Sequence, residues 1–369
     1  MLIPLVDLTA QHREIADELQ QRFARLFENT AFILGEEVAN FEQEFARFSG
    51  VKHCVGVGNG TDALEMMLRA AGVGNGDEVI VPANSFFGTA AAVVRAGAIP
   101  RFADSDPTHL IDVQAVAQQI NRRTKAIVPV HLYGQIAPME ELKVLADQTG
   151  VLLLEDAAQA QGARHCKRGI ASIGLAAATS FYPSKNLGGY GDGGAVLTNS
   201  DDVAATVRAL RNYGSEAKHH HPRIGLNSRL DAIQAVVLSA KLKYLADWNE
   251  ARRQAARRYD ELLASLDAVT LPVTLPGNEH VWHLYVVRVP GRDTVLRKLN
   301  DAGIGAAVHY PLPIHLQGAF KYLRYQRGDF AVAEAASEQV LSLPIFPGIT
   351  VEQQIYIVSE LRRSLSKVG

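Results

Sequence analysis

Three segments carry residue types that could work together chemically. The first, Val57-Gly58-Asn59-Gly60-Thr61-Asp62-Ala63-Leu64, runs from an apolar strand through glycines into a helix, with Thr61 or Asp62 placed to cap it. Glycines permit close backbone approach, and a helix start offers free N–H groups and a positive dipole end. The segment therefore suits an anion such as a phosphate. It reads equally well as an ordinary capped turn, and its spacing fits neither a Walker loop nor a dinucleotide fingerprint. The second, Val151-Leu-Leu-Leu-Glu-Asp-Ala-Ala-Gln-Ala-Gln161, places Glu155 and Asp156 after a strongly apolar strand. An acid there is partly desolvated unless a cation or donor meets it. Either acid could cap the next turn, or Asp156 could hold a positive charge on a bound ring. The third runs from Thr179 to Gly194 and places Lys185 just past another strand, beside Phe181 and Tyr182, 29 positions after Asp156. A lysine desolvated in that way has a lowered pKa and can form a Schiff base, although most surface lysines are simply solvated.

In open parallel sheets, ligands bind beyond the C-terminal ends of the strands, which is where all three segments fall. A phosphate cradle, an acid for a pyridinium nitrogen and a lysine for an aldehyde are the set that pyridoxal phosphate needs.

The elements that must position these residues alternate. Strands are expected at Cys54–Val57, Glu78–Val81, Ile99–Phe102, Ala126–Val130, Val151–Leu154, Ala178–Phe181 and Ala195–Thr198. Several are unbroken Val, Ile and Leu runs, as in a sheet covered on both faces. Helices are expected at Asp62–Ala71, Thr89–Ala96, Asp112–Ile120, Met139–Gln148 and Asp201–Arg211. The alternation predicts an α/β fold with a mostly parallel sheet. A long helical pattern follows over Arg229–Leu266, then a strand at Trp282–Val289 and helices at Asp293–Ala302 and Val351–Ser366. The expected division is a large α/β domain over residues 1–245 and a small C-terminal α+β domain over 246–369.

The motifs Gly60-Thr-Asp-Ala-Leu64, Glu155-Asp-Ala-Ala-Gln159, Ser180-Phe-Tyr-Pro-Ser-Lys185, Gly191-Asp-Gly-Gly194 and Asn227-Ser-Arg-Leu-Asp231 resemble those of the DegT/StrS sugar aminotransferases. The likeness extends from Phe32-Ile-Leu-Gly35 to Leu343-Pro344, nearly the whole chain. It implies the fold-type I architecture of pyridoxal 5'-phosphate enzymes. It also implies that Lys185 bonds to the cofactor and then shuttles the proton, that Asp156 pairs with the ring nitrogen, and that Gln159 meets the ring hydroxyl. Gly60, Thr61 and Ser180 would hold the phosphate, and Phe86 would stack on the ring. Asn227 would reach the cofactor phosphate of a neighbouring subunit, which implies a homodimer with shared sites. Ser85 stands where the family usually has Thr.

The resemblance implies an amino-acid donor, glutamate first among the candidates, and a nucleotide-linked keto sugar as acceptor. Relatives with histidine at the lysine position are dehydratases, so Lys185 favours transamination. Asp192 resembles members that aminate a 3-keto sugar, such as a dTDP-3-keto-6-deoxyhexose, whereas 4-keto members more often carry Glu there. A 4-keto sugar, a cyclitol or a non-catalytic regulatory role are the alternatives. By the same likeness Tyr182, Arg229, Tyr310 and His315 contact substrate.

Other features read more plainly. His219-His220-His221 are consecutive on one loop and lack the spacing of a metal site, so no metal is expected. Trp282 and His283 read as strand packing, and Cys54 as packing in an apolar run. Arg252, Arg253, Arg257 and Arg258 lie among Asp247, Glu250, Asp260 and Glu261, which reads as a solvated helix face. The net charge is 37 − 39 = −2, without the basic excess of a nucleic-acid binder. Two cysteines make no disulfide scaffold, and no stretch approaches the ~20 apolar residues that span a bilayer. Nor does the N-terminus read as a signal peptide, and a cytoplasmic protein is expected.

Overall fold

The strand Glu78–Pro82 is buried along its whole length between two parallel neighbours, Ile99–Ala103 and Thr124–Ile127. Burial on both faces is why its apolar run is unbroken. The computed structural model describes residues 1–366. Thr124–Ile127 pairs in parallel with Leu152–Leu153, and the chain continues as Glu155–Asp156, parallel to Ala176–Ser180. Bonds from Leu154 N to Ile127 O (3.0 Å) and from Asp156 N to Pro129 O (2.9 Å) carry the ladder across this join. Gly194–Thr198 follows, and then His53–Val57 at the far edge.

Only Gly194–Thr198 runs against the rest, antiparallel to both of its neighbours. The pairings from Ile99–Ala103 across to Ala176–Ser180 are parallel, in keeping with the mostly parallel sheet expected from sequence. The connection 181–193 contains no helix, and neighbouring strands joined without a crossover return antiparallel. Lys185 lies in that connection, at the C-terminal end of Ala176–Ser180.

The helices Gly60–Ala70, Phe87–Arg95, Val113–Gln119, Met139–Thr149 and Asp201–Leu210 form close to their expected places. Thr9–Asn29 and Glu36–Ser49 are helices that the sequence reading did not place. The second presents Phe41 and Phe45 edge-on to Phe181, with ring centroids 5.3 and 5.4 Å away. That contact anchors the start of the Lys185 connection in the core.

The long helical pattern divides into Ala232–Leu242 and Leu245–Leu263. Beyond it, Tyr285–Arg288 pairs antiparallel with Val340–Leu343, flanked by Arg292–Asp301 and Val351–Leu365. Trp282 and His283 precede this strand instead of opening it, because Trp282 has a left-handed φ of 48° that breaks the extended run. The C-terminal core also recruits Ile3, which bridges to Ile304. Among the described residues, no helix is long and apolar enough to cross a membrane.

Candidate active site

At the C-terminal ends of the parallel strands lies a cleft of about 580 Å³. Its walls come from all three segments singled out in the sequence.

The strand His53–Val57 delivers the first. Neither Thr61 nor Asp62 caps the helix that follows. Asn59 does, its side chain accepting the N–H of Asp62 at 2.8 Å. This leaves Thr61 free to line the cleft, while Asp62 pairs with Arg95 at 2.7 Å. Among the described residues the N–H groups of Gly60 and Thr61 meet no protein acceptor, as expected for the first turn of a helix. A Cβ on Gly60 would come within 2.7 Å of Ser180 Cβ, so only glycine lets the helix start approach the strand end so closely.

The two acids of the second segment point to opposite sides, as successive strand residues must. Glu155 turns inward and accepts from Ala171 N (2.8 Å) and Gly174 N (2.9 Å), with His131 Nε2 at 3.0 Å. It is the acid that organises the local turns. Asp156 faces the cleft. One of its oxygens accepts from Ala158 N at 3.1 Å and the other from the Thr89 hydroxyl at 2.7 Å. Burial pushes its carboxyl pKa up, against the pull of those donors and of the Lys185 and His131 charges.

Lys185 shares the cleft with Asp156. Burial lowers its pKa to about 8, although the charge of Asp156 pulls the other way. An amine with that pKa is partly neutral near pH 7, hence both nucleophile and proton acceptor. Gln159 is fixed at both ends, its Oε1 accepting from Tyr133 N at 2.6 Å and its Nε2 donating to the Tyr310 hydroxyl at 3.1 Å. Phe86, Ser180, Tyr182 and Tyr310 line the same space, with the Phe86 and Tyr310 rings 5.8 Å apart.

Other expected contacts fall elsewhere. His315 is sealed away from the cleft, its ring packed on Phe330 at 4.7 Å and its Nε2 3.1 Å from Glu334. Arg229 lies outside the cleft of its own chain, donating to Asn212 at 2.7 Å and to Asn227, with its guanidinium over the Tyr213 ring. Asn227 is exposed and also outside that cleft. His219, His220 and His221 lie on an exposed loop.

His283 departs from the packing role expected of it. It is buried yet lines the cleft, as does His309, whose pKa burial lowers to about 4. Arg252 is a second departure. It is 1% exposed and donates to the carbonyls of Trp282 (3.1 Å) and Ile345 (3.0 Å), so it belongs to no solvated face. Thr89 and Asn59 were missed altogether. Asn59 was legible as a cap residue before a helix, whereas Thr89 had no signal in the sequence.

A family model described as the DegT/DnrJ/EryC1/StrS aminotransferase family matches residues 13–362. The chain belongs to that family. It is accordingly an aminotransferase. The chain is 44% identical to a "Pleiotropic regulatory protein" of Geobacillus stearothermophilus, over 98% of both. It is 42% identical to the dTDP-3-amino-3,4,6-trideoxy-alpha-D-glucose transaminase of Streptomyces venezuelae, over 99% of this chain and 97% of that protein. Among solved structures, S. venezuelae DesV in complex with a ketimine intermediate superimposes with a TM-score of 0.97, at 42% identity over 100% of both chains.

Proposed function

We propose that the chain is a pyridoxal 5'-phosphate-dependent transaminase that moves an amino group from an amino acid, with L-glutamate the first candidate, to the 3-keto group of a nucleotide-linked sugar. The observation that carries this reading is that Lys185, Asp156 and the Gly60–Thr61–Ser180 cradle line one cleft. The residues fit the cofactor. Two unpartnered N–H groups and a glycine-only approach suit a phosphate, a carboxylate suits a ring nitrogen, and Gln159 suits a ring hydroxyl. Bound there, pyridoxal phosphate would act as an electron sink, taking up the pair left when a proton leaves the donor's α-carbon.

The residues divide the work. Asp156 holds positive charge at the ring nitrogen. Lys185, once its amine is free, takes the proton from one carbon and returns it to another as general base and then acid. Phe86 and Tyr310, whose rings lie 5.8 Å apart in the cleft wall, supply aromatic surface for the cofactor ring. Tyr182, half-exposed in the cleft lining, would meet the sugar. The 3-keto preference rests on Asp192 in the cleft wall and on the named activity of the S. venezuelae relative.

A cytoplasmic homodimer completes the reading. The exposed Asn227, with the half-buried Arg229 bonded to it, is suited to reaching a partner's cofactor phosphate and nucleotide. The two-body division at residue 245 is proposed with it.

The test is incubation of the loaded protein with glutamate and, separately, 3-keto and 4-keto dTDP-sugars, followed by NMR of the product. Amination at C3 is expected. Amination only at C4 would refute the Asp192 argument, and no amination of any keto sugar would favour the regulatory role named for the G. stearothermophilus relative.

A further inference from the structure

Asp156 is 3% exposed, and a carboxylate so deeply buried reverts to the neutral acid unless donors hold its charge. Among the described residues two bonds reach its oxygens, and one of them comes from a side chain. Thr89 Oγ1 lies 2.7 Å from Asp156 Oδ2, and Ser85 Oγ lies 2.8 Å from Thr89 Oγ1. Ser85 and Thr89 are themselves buried, at 3% and 2% exposed. They stand four positions apart, Ser85 just before the cap residue Phe86 and Thr89 in the first turn of the helix Phe87–Arg95.

The direction of this chain is set by its end. An ionised carboxylate has no proton to give, so the Thr89 hydroxyl must donate to it. With that proton committed, Thr89 Oγ1 accepts, and the Ser85 hydroxyl donates to it. Ser85 lines the cleft, so its lone pairs remain available there.

From this geometry we infer that Ser85 and Thr89 form a one-way hydroxyl relay that keeps Asp156 ionised and aimed, making Thr89 a positioning residue for the reaction. The inference rests on the proposed cofactor reading. The other groups facing Asp156 are the Ala158 N–H, Lys185, His131 and Tyr310. Ala158 is fixed by the backbone, and the cation of Lys185 disappears whenever its amine is neutral or engaged. The Thr89 hydroxyl is the side-chain donor that persists throughout. The relay also gives a physical content to the Ser85 departure. What the position must supply is a hydroxyl, which serine and threonine share.

The experiment compares wild type with Thr89→Val, Thr89→Ser and Ser85→Ala, each loaded with pyridoxal phosphate. A proton on the ring nitrogen withdraws electrons and acidifies the imine at Lys185. Weakening Asp156 must therefore move the pH midpoint of the visible band upward. Thr89→Val is expected to raise that midpoint by about one unit or more and to slow the half-reaction with glutamate by about tenfold to a hundredfold, the worth of one hydrogen bond to a charge. Thr89→Ser should recover most of both losses. Ser85→Ala should move both readouts in the same direction by less.

A Thr89→Val protein with an unmoved midpoint would overturn the inference, and so would a Thr89→Ser protein as impaired as Thr89→Val. Should Thr89→Val not fold, Ser85→Ala decides the matter, since an unmoved midpoint there removes the relay. A wild-type protein that shows no visible band with added cofactor would instead refute the underlying cofactor reading.

Discussion

Asn186, the residue after Lys185, donates through Nδ2 to the carbonyl of Val281 at 2.8 Å. The same nitrogen donates to Asn249 Oδ1, also at 2.8 Å. One buried amide thus ties the Lys185 connection to the segment that leads into the C-terminal strand pair and to the helix Leu245–Leu263. Lys185 is placed by its neighbour's contacts as much as by its own.

Replacing Asn186 with Ala should therefore cost about 2 kcal/mol of stability, from two lost bonds and two acceptors left unpaired in the interior. Denaturant unfolding of the cofactor-free protein measures this directly. A loss below about 0.5 kcal/mol would show that the amide is dispensable.

Arg252 makes a similar prediction for the other side of the cleft. Its guanidinium meets the carbonyls of Trp282, His283 and Ile345, holding His283 at the cleft wall. Arg252→Leu should destabilise the fold by roughly 2–3 kcal/mol, because those carbonyls lose a charged donor. Were the residue on a solvated face, the change would stay within about ±0.5 kcal/mol.

Both residues mark the limit of what the sequence could say. Lys185, Asp156 and the Gly60–Thr61 turn were legible because each is local, a polar residue where an apolar strand stops. The α/β alternation was legible for the same reason. Arg252 was not, since its partners arrive from positions 282, 283 and 345, and its neighbours Arg253 and Arg257 do pair with Glu250 in solvent. Thr89 is one hydroxyl in an apolar helix, and only the fold brings it to Asp156. His315 misled in the opposite sense. The family likeness implied a substrate contact, but Glu334 and a ring of aromatic side chains enclose it away from the cleft. The reversed strand Gly194–Thr198 has a strand's pattern in either direction, and only the helix-free connection before it fixes the sense.

Gly60 gives a test of the phosphate cradle. A methyl group there would lie 2.7 Å from Ser180 Cβ, so Gly60→Ala must push the helix start away from the strand end. The dissociation constant for pyridoxal phosphate, followed by absorbance titration, should rise at least about tenfold. Unchanged affinity would place the phosphate elsewhere.

The lowered pKa of Lys185 predicts a pH profile. Below about 8 the amine carries a proton and has no lone pair to offer, and above it the amine is free. The rate at which the cofactor-free protein captures pyridoxal phosphate should climb with pH and level off just above 8. A rise continuing toward 10, where an ordinary lysine titrates, would contradict the desolvation argument.

If Lys185 and Asp156 serve one cofactor through two opposite half-reactions, the visible spectrum of the loaded protein must report both. L-glutamate alone should bleach the visible band, and a 3-keto sugar nucleotide added afterwards should restore it. A band that neither addition changes would rule out transamination at Lys185.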